Sequence, residues 1–389
     1  MKGKWIIMGF SIVIFLMLIF GGFVQAQTKE LRIGFTSPLS GGGMSWGYAA
    51  FSGLELAMED INNAGGLKVG GNVYILKSIP YDTKYNPDAA VTAAKRLIYE
   101  DKVNIIFGEI GSHPVLAMQA VTEPKKIILF TDTYSDKVLS PDKPYTFRWN
   151  VTTVEYAGPM FSYYRKKRPD AKRLAHFYVD DEAGRTTIPY AKKAGSKTGL
   201  EVVLFPFERG TVDLTPIVTK ALAANIDIMD LNGTPPGEAT QLVNILRSMG
   251  WNKEIVKTGG AAVYDLLRIC GKNSNGVIYH EDADFSQPKS AALVERFKMK
   301  KYPSEYNSMM VPAYDGAMIL FKAIQKAGTV DDTTAIKKAM ESIKSYEGIQ
   351  GKIRWGGKED YGIDHQLMNV VYIGEVVNEQ PKIIFTIKY

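Results

Sequence analysis

Two loops carry most of the chemistry open to this chain. The first is Gly108-Glu109-Ile110-Gly111-Ser112, where an apolar strand gives way to a helix. Ser112 is placed to be the helix N-cap, so its hydroxyl and the first backbone N–H groups would point out of the strand end. Free donors at the positive end of a helix make an anion site; the plain alternative is a capped helix and no ligand. The second loop is Phe130-Thr131-Asp132-Thr133-Tyr134-Ser135-Asp136, where a buried strand runs into consecutive hydroxyl and carboxylate residues. Alone it reads as a hydrated turn. The two loops end consecutive strands, so they should be neighbours. Together they could close on one small anion, with Gly111, Ser112, Thr133, Tyr134 and Ser135 around it.

Catalytic constellations are missing. Gly41, Gly43 and Gly47 mimic a dinucleotide fingerprint, but the third glycine is one position late and Trp46 fills the slot that needs close helix packing. There is no phosphate-binding G-x-x-x-x-G-K-[ST] run. Gly111-Ser112-His113-Pro114 lacks the second glycine of a nucleophile elbow. His113, His176, His280 and His365 lie far apart in sequence, so no metal-ligand spacing arises. Asp180-Asp181-Glu182 reads as a solvated turn. The sequence therefore predicts a binding protein with no cofactor and no metal, rather than an enzyme.

The elements that would position these loops alternate strand and helix almost throughout. Leu31–Phe35, Val73–Ile79, Val103–Phe107 and Ile127–Phe130 read as strands. Ala49–Ile61 is an amphipathic helix stopped by Gly65-Gly66. Asn86-Pro-Asp88 starts another helix. After Phe147-Arg-Trp-Asn150, a crossing segment, the alternation restarts and runs to the apolar strand Gly276–His280, a second crossing. Three helices follow, and then a tail that alternates like antiparallel strands. Such βα repeats predict an α/β protein with parallel sheets covered on both faces. Two repeats predict two Rossmann-like lobes: residues 27–149 plus 284–350, and residues 150–283 plus 351–389. Ligands of open α/β sheets bind at the carboxyl ends of strands. That points to the loops at 37–47, 108–114, 131–136, 180–186, 232–238 and 258–262.

Residues 1–26 read as an export signal. Lys2 and Lys4 precede the apolar run Trp5–Phe20, and Val24-Gln25-Ala26 suits cleavage after Ala26. No cysteine follows that run, so lipid attachment is not expected. Cys270 is the only cysteine and, after Leu266-Leu-Arg-Ile269, reads as a buried structural thiol. The formal net charge is +6, with the lysines scattered. The densest basic run, Tyr164–Arg168, ends a helix, where cations suit the dipole. No aromatic–basic interleaving marks a nucleic-acid surface.

The stretches "FTSPLSG" and "LAMEDINNAGGL" in Leu31–Gly66, "YDTKYNPDAAVTAAKRLI" (Tyr81–Ile98), "IIFGEIGS" (Ile105–Ser112) and "GKIRW" (Gly351–Trp355) resemble the periplasmic leucine/isoleucine/valine-binding family. These are the type I solute receptors of branched-chain amino-acid ABC transporters. The resemblance covers essentially the whole exported chain. It implies a type I periplasmic binding protein fold, with two lobes joined by three crossings and closing like a hinged clam. It implies a monomer in the periplasm that hands a small carboxylate or amino acid to membrane permease and ATPase subunits. It puts the carboxylate on Ser112 and Ser135, the ammonium on the Thr133 carbonyl, and an aromatic wall on Trp46. It also marks departures. Family aromatic positions fall near Ala183 and Thr234. The acid that pairs with the ammonium falls in Thr258-Gly-Gly-Ala261, at Gly260, where no carboxylate exists. Asp132, Glu109 and Glu281 are candidate substitutes; otherwise the ligand is an aromatic or aliphatic carboxylate without an ammonium. A ligand-sensing receptor on the same fold is the other reading.

Overall fold

The computed structural model describes residues 28–389; the expected export signal lies outside them. The chain opens with β1 (Thr28–Ser37), α1 (Met44–Asn63), β2 (Leu67–Val69), β3 (Asn72–Asp82), α2 (Pro87–Tyr99), β4 (Ile105–Phe107), α3 (Ser112–Thr122), β5 (Ile128–Thr131) and β6 (Thr146–Arg148). It continues through α4 (Thr153–Lys167), β7 (Arg173–Val179), α5 (Glu182–Thr198), β8 (Glu201–Phe207), α6 (Thr215–Ala223), β9 (Ile228–Leu231), α7 (Pro236–Ser248), β10 (Glu254–Lys257), α8 (Val263–Cys270) and β11 (Val277–Glu281). Then come α9 (Pro288–Lys300), α10 (Met310–Ala327), α11 (Thr333–Glu341), β12 (Tyr346–Gly348), β13 (Gly351–Gly356), α12 (Lys358–Tyr361), β14 (Gln366–Met368), β15 (Val371–Val377) and β16 (Gln380–Ile387).

The strands form two sheets. The first runs β12-β13-β14-β6-β5-β4-β1-β3-β2 and the second β16-β15-β11-β10-β9-β7-β8. The inner pairs are parallel, as between β4 and β5 and between β7 and β9. Their residues are apolar on both faces because helices cover both. On the first sheet, α1, α9, α10 and α11 pack on one side around Ile33, Phe35, Phe107 and Phe130. Helices α2 and α3 cover the other with Ala94, Leu97, Val115 and Met118. The second sheet lies between α6–α8 and α4–α5.

Caps fix several helix starts. Asn86 accepts the Ala89 N–H ahead of Pro87. Thr152 and Glu155 form a reciprocal capping box that starts α4 directly after the first crossing. Asp181 accepts the Gly184 N–H at the head of α5.

The pairing moves one expected boundary. The sequence pattern places residues 351–368 in the second lobe. Instead β13 pairs antiparallel with β14, and β14 lies beside β6 of the first sheet. The chain crosses for the third time at Asn369–Val370, so only β15 and β16 return to the second sheet. The sequence pattern could not separate these strands, because all alternate with the same period of two. The first two crossings fall at 149–152 and 282–287.

Cys270 is buried, as expected, with its thiol near the Thr240 carbonyl at 3.4 Å. Burial pushes it up to about 12, which removes any nucleophilic role at neutral pH. Helices α1 and α10 approach closely at Gly53. A β-carbon there would sit 2.6 Å from the Met310 carbonyl oxygen and 2.8 Å from the Tyr314 nitrogen. Backbone cannot swing aside as a side chain can. Gly53→Ala should therefore cost about 2 kcal/mol of stability in urea unfolding; an unchanged midpoint would contradict this packing.

Candidate functional site

The strand ends of the two sheets face each other across a closed cleft. Between them lies a small cavity of about 30 Å³, lined from the first lobe by Trp46, Tyr85, Ile110, Asp132, Tyr134 and Met309. The second lobe contributes Ala183, Gly184, Thr187, Gly233, Gly259 and Gly260. Bonds between lobes seal it. Trp46 Nε1 donates to the Ala261 carbonyl at 2.7 Å. The Gly260 N–H donates to the Tyr134 hydroxyl at 2.8 Å. Ser45 donates to Asp265 at 3.0 Å, and Tyr190 donates to Asp136 at 3.1 Å. The Arg209 guanidinium lies 3.8 Å over the Tyr85 ring. A larger, more open groove lies outside the second crossing, beside Tyr264, Phe285 and Tyr306; neither of the two sequence-selected loops lines it.

Both selected loops reach this cleft, but several of their polar groups turn away from it. Gly108 takes a φ of +114°, and a β-carbon there would strike the Phe35 ring. This bend lets α3 begin at the sheet edge. The N-cap is Gly111, not Ser112 as expected. Ser112 is the first helical residue, and its hydroxyl accepts the N–H groups of Tyr134 (3.2 Å) and Ser135 (3.1 Å). It joins the two loops instead of capping its own helix.

The Thr133 carbonyl, expected to meet an ammonium, accepts from Arg148 Nη1 at 2.8 Å. The same nitrogen donates to the Ser135 carbonyl at 3.1 Å. A second cation at that carbonyl would face the guanidinium directly. The Ser135 hydroxyl donates to Glu182 of the second lobe at 2.9 Å, and Lys137 pairs with the same carboxylate at 3.0 Å. One of the protein's own carboxylates thus occupies that hydroxyl.

Of the nine residues singled out by sequence, Trp46, Tyr134, Ala183 and Gly260 form the cavity wall. Gly111, Ser112, Thr133, Ser135 and Thr234 are buried beside it. Thr234 has no partner for its hydroxyl. Gly260 has φ +71°, and a β-carbon would meet the Trp46 ring at 2.5 Å. Glycine is required there for the tryptophan to seat.

Lys257 was not singled out. It ends β10 and is fully buried. Its Nζ donates to the carbonyls of Gly259 (2.5 Å) and Gly260 (2.9 Å). Burial lowers it to about 7. A lysine closing the apolar run Glu254-Ile-Val-Lys257 was the available signal. Tyr85 and Met309 carry no comparable sequence signal.

The candidate substitute acids differ in placement. Glu109 is fully buried, bonds the Gly111 N–H at 3.1 Å, and is raised to about 7 by burial. Glu281 accepts the N–H groups of Ala262 and Val263 at the head of α8. Only Asp132 lines the cavity. His176 bonds Asp230 at 3.1 Å and Thr187 at 2.8 Å, a satisfied core histidine. Among the described residues no group of three or more His, Cys, Asp or Glu could hold a metal ion. No described helix is long and apolar enough to cross a membrane.

Burial, then the neighbouring Asp282, push Asp132 up to about 8 in the closed cleft. In an open, hydrated cleft it returns toward the usual range. The closed form therefore holds the extra proton: its stability is full near pH 4 and is lost as the pH rises toward 8. The protein alone should have a larger radius of gyration at pH 8 than at pH 5 in small-angle scattering. Asp132→Asn should remove that dependence; a variant still opening with pH would contradict it. Arg148→Met strands the Thr133 and Ser135 carbonyls and should cost roughly 2–4 kcal/mol in urea unfolding. A loss under ~1 kcal/mol would show that other groups hold the loop.

The sequence profile of the periplasmic binding protein family matches residues 30–381. The "Leu/Ile/Val-binding protein homolog 3" of Brucella melitensis is 25% identical over 342 residues, 87% of this chain and 90% of that protein. A leucine-binding protein of Thermotoga maritima superposes with a TM-score of 0.78 at 22% identity, covering 92% of this chain and 99% of the other. A solute-binding protein from R. palustris, crystallised with benzoate, superposes with a TM-score of 0.77 at 18% identity, covering 92% and 96%. With its two parallel-rich sheets and three crossings, the chain belongs to the periplasmic binding protein family and has the type I fold.

Proposed function

We propose that this protein is the extracytoplasmic solute-binding component of an ABC importer. It captures a small carboxylate-bearing solute, a branched-chain or related amino acid, by hinge closure. The observation that carries this reading is the cavity sealed between the two sets of strand ends, with Trp46 and Tyr134 reaching from the first lobe to Ala261 and Gly260 of the second. Such contacts can form only when the lobes close, so they couple closure to whatever fills the space. The aromatic walls Trp46, Tyr85 and Tyr134 suit an apolar side chain. The head of α3 lies at the cavity edge and favours a negative group, whereas the head of α5 is already held by Asp181 and Glu182. The protein then works in the periplasm as a monomer and delivers its ligand to permease and ATPase subunits in the membrane.

A second reading is a receptor for an aromatic or aliphatic carboxylate without an ammonium. It is favoured by Lys257, a cation directly beneath the acid-free Gly259-Gly260 lip, and by the benzoate complex of the R. palustris relative.

Thermal-shift screening separates these classes. A bound ligand at 100 times its dissociation constant stabilises by about 2.7 kcal/mol, enough to raise the melting temperature measurably. Amino acids should do so. A shift with benzoate-type acids alone would select the second reading. No shift with any carboxylate would overturn both.

A further inference from the structure

We propose that Asp132 is the counter-charge for a ligand ammonium, so that the cleft selects zwitterionic amino acids over simple carboxylates. The inference rests on the receptor reading above and deepens it. Asp132 follows β5 and lines the cavity while being 2% exposed. Its Oδ1 has no partner. Its Oδ2 has only a 3.5 Å contact from Asn150 Nδ2.

Each charged or titratable neighbour fails to satisfy it. Arg148, two residues before Asn150, gives Nη1 to the Thr133 and Ser135 carbonyls and Nε to Gln366; its Nη2 has no partner, and its charge favours the ionised Asp132 without bonding it. Lys257, from the second lobe, is engaged by the Gly259 and Gly260 carbonyls. The Tyr134 hydroxyl bonds the Gly260 N–H, and Tyr156 shares a bond with Thr153 at 3.0 Å. Asp282, on the second crossing, bonds His280 through Oδ1 at 3.1 Å and leaves Oδ2 without a partner. Two buried carboxyls therefore face one region with no lysine or arginine bonded to either.

That charge pattern discriminates among occupants. A neutral hydroxyl could donate one bond to Asp132 but would leave a carboxylate charge there uncompensated. A metal ion needs a denser ligand set than any found among the described residues. An ammonium supplies donors for Oδ1 and offsets the repulsion between Asp132 and Asp282. Lys257 points the other way, but it lies behind the lip and Asp132 lies on the wall, so the aspartate is the group a ligand touches. The direction in which Asp132 titrates fits the same picture: empty closure leaves it protonated, and a cationic ligand replaces that proton.

The test compares leucine with 4-methylpentanoate, the same carbon skeleton without the amino group, by calorimetry on the exported chain. The wild type should bind leucine at least ~100-fold more tightly. In Asp132→Asn and Asp132→Leu this preference should collapse to within about tenfold, with folding checked by circular dichroism. Retention of the full preference in both variants, or a wild type preferring 4-methylpentanoate, overturns the proposal and leaves the receptor reading standing. A wild type that binds neither these nor any other amino or organic acid brings down the receptor reading itself.

Discussion

The first lobe's half of the cleft depends on one buried cation. Arg148 is fully buried at the last residue of β6, where the chain leaves the first sheet. Its Nη1 bridges the carbonyls of Thr133 and Ser135, its Nε meets Gln366 of β14, and its plane lies 4.7 Å over the Tyr361 ring. A guanidinium can serve several acceptors at once because its donors are fixed in a planar fork. The loop after β5 is irregular backbone, and its carbonyls would otherwise be buried without donors. Arg148 satisfies them, and in doing so sets where Asp132 and Tyr134 point.

The same residue links the site to the hinge. The Arg148 N–H donates to the His365 carbonyl at 2.8 Å. Gln366 and Asn369 reach back to the carbonyls of Asn150 and Trp149. The first and third crossings are thus tied side by side, and the second is tied to residue 350 through Gln350 and the Asp282 carbonyl. Asp132 and Asp282 both lie beside these crossings. Under the proposed hinge closure, the groups nearest the pivot change hydration, which would give a ligand's charge leverage over the lobe angle.

Much of this was legible in the sequence and some was not. The alternation of apolar runs with amphipathic helices is a backbone property, so the two sheets and their covering helices followed from it. The two selected loops reach the cleft because a parallel sheet places the ends of neighbouring strands together. What failed was side-chain direction. Ser112 sits one position inside the helix, and that shift turns its hydroxyl toward Tyr134 and Ser135. The Thr133 carbonyl was committed by an arginine fifteen residues later, a pairing no local pattern announces. Gly351–Met368 was misplaced for a related reason: alternation marks a strand but does not say which sheet it joins.

Lys257 and the two glycines after it hold the second lip together without an acid. Gly259 and Gly260 both have positive φ, at +67° and +71°. That conformation turns their carbonyls down onto the lysine and the Gly260 N–H up to Tyr134. The lip thereby presents a donor to the cleft, whereas the family resemblance implies an acceptor on this side. The orphaned acceptor, Asp132, stands on the opposite lobe. A lysine needs nearby acceptors when buried, and the glycine carbonyls supply them only because no β-carbon blocks Trp46 from closing over the loop. Lysine, paired glycines and tryptophan form one solution: each is tolerable in the second lip because the others are there.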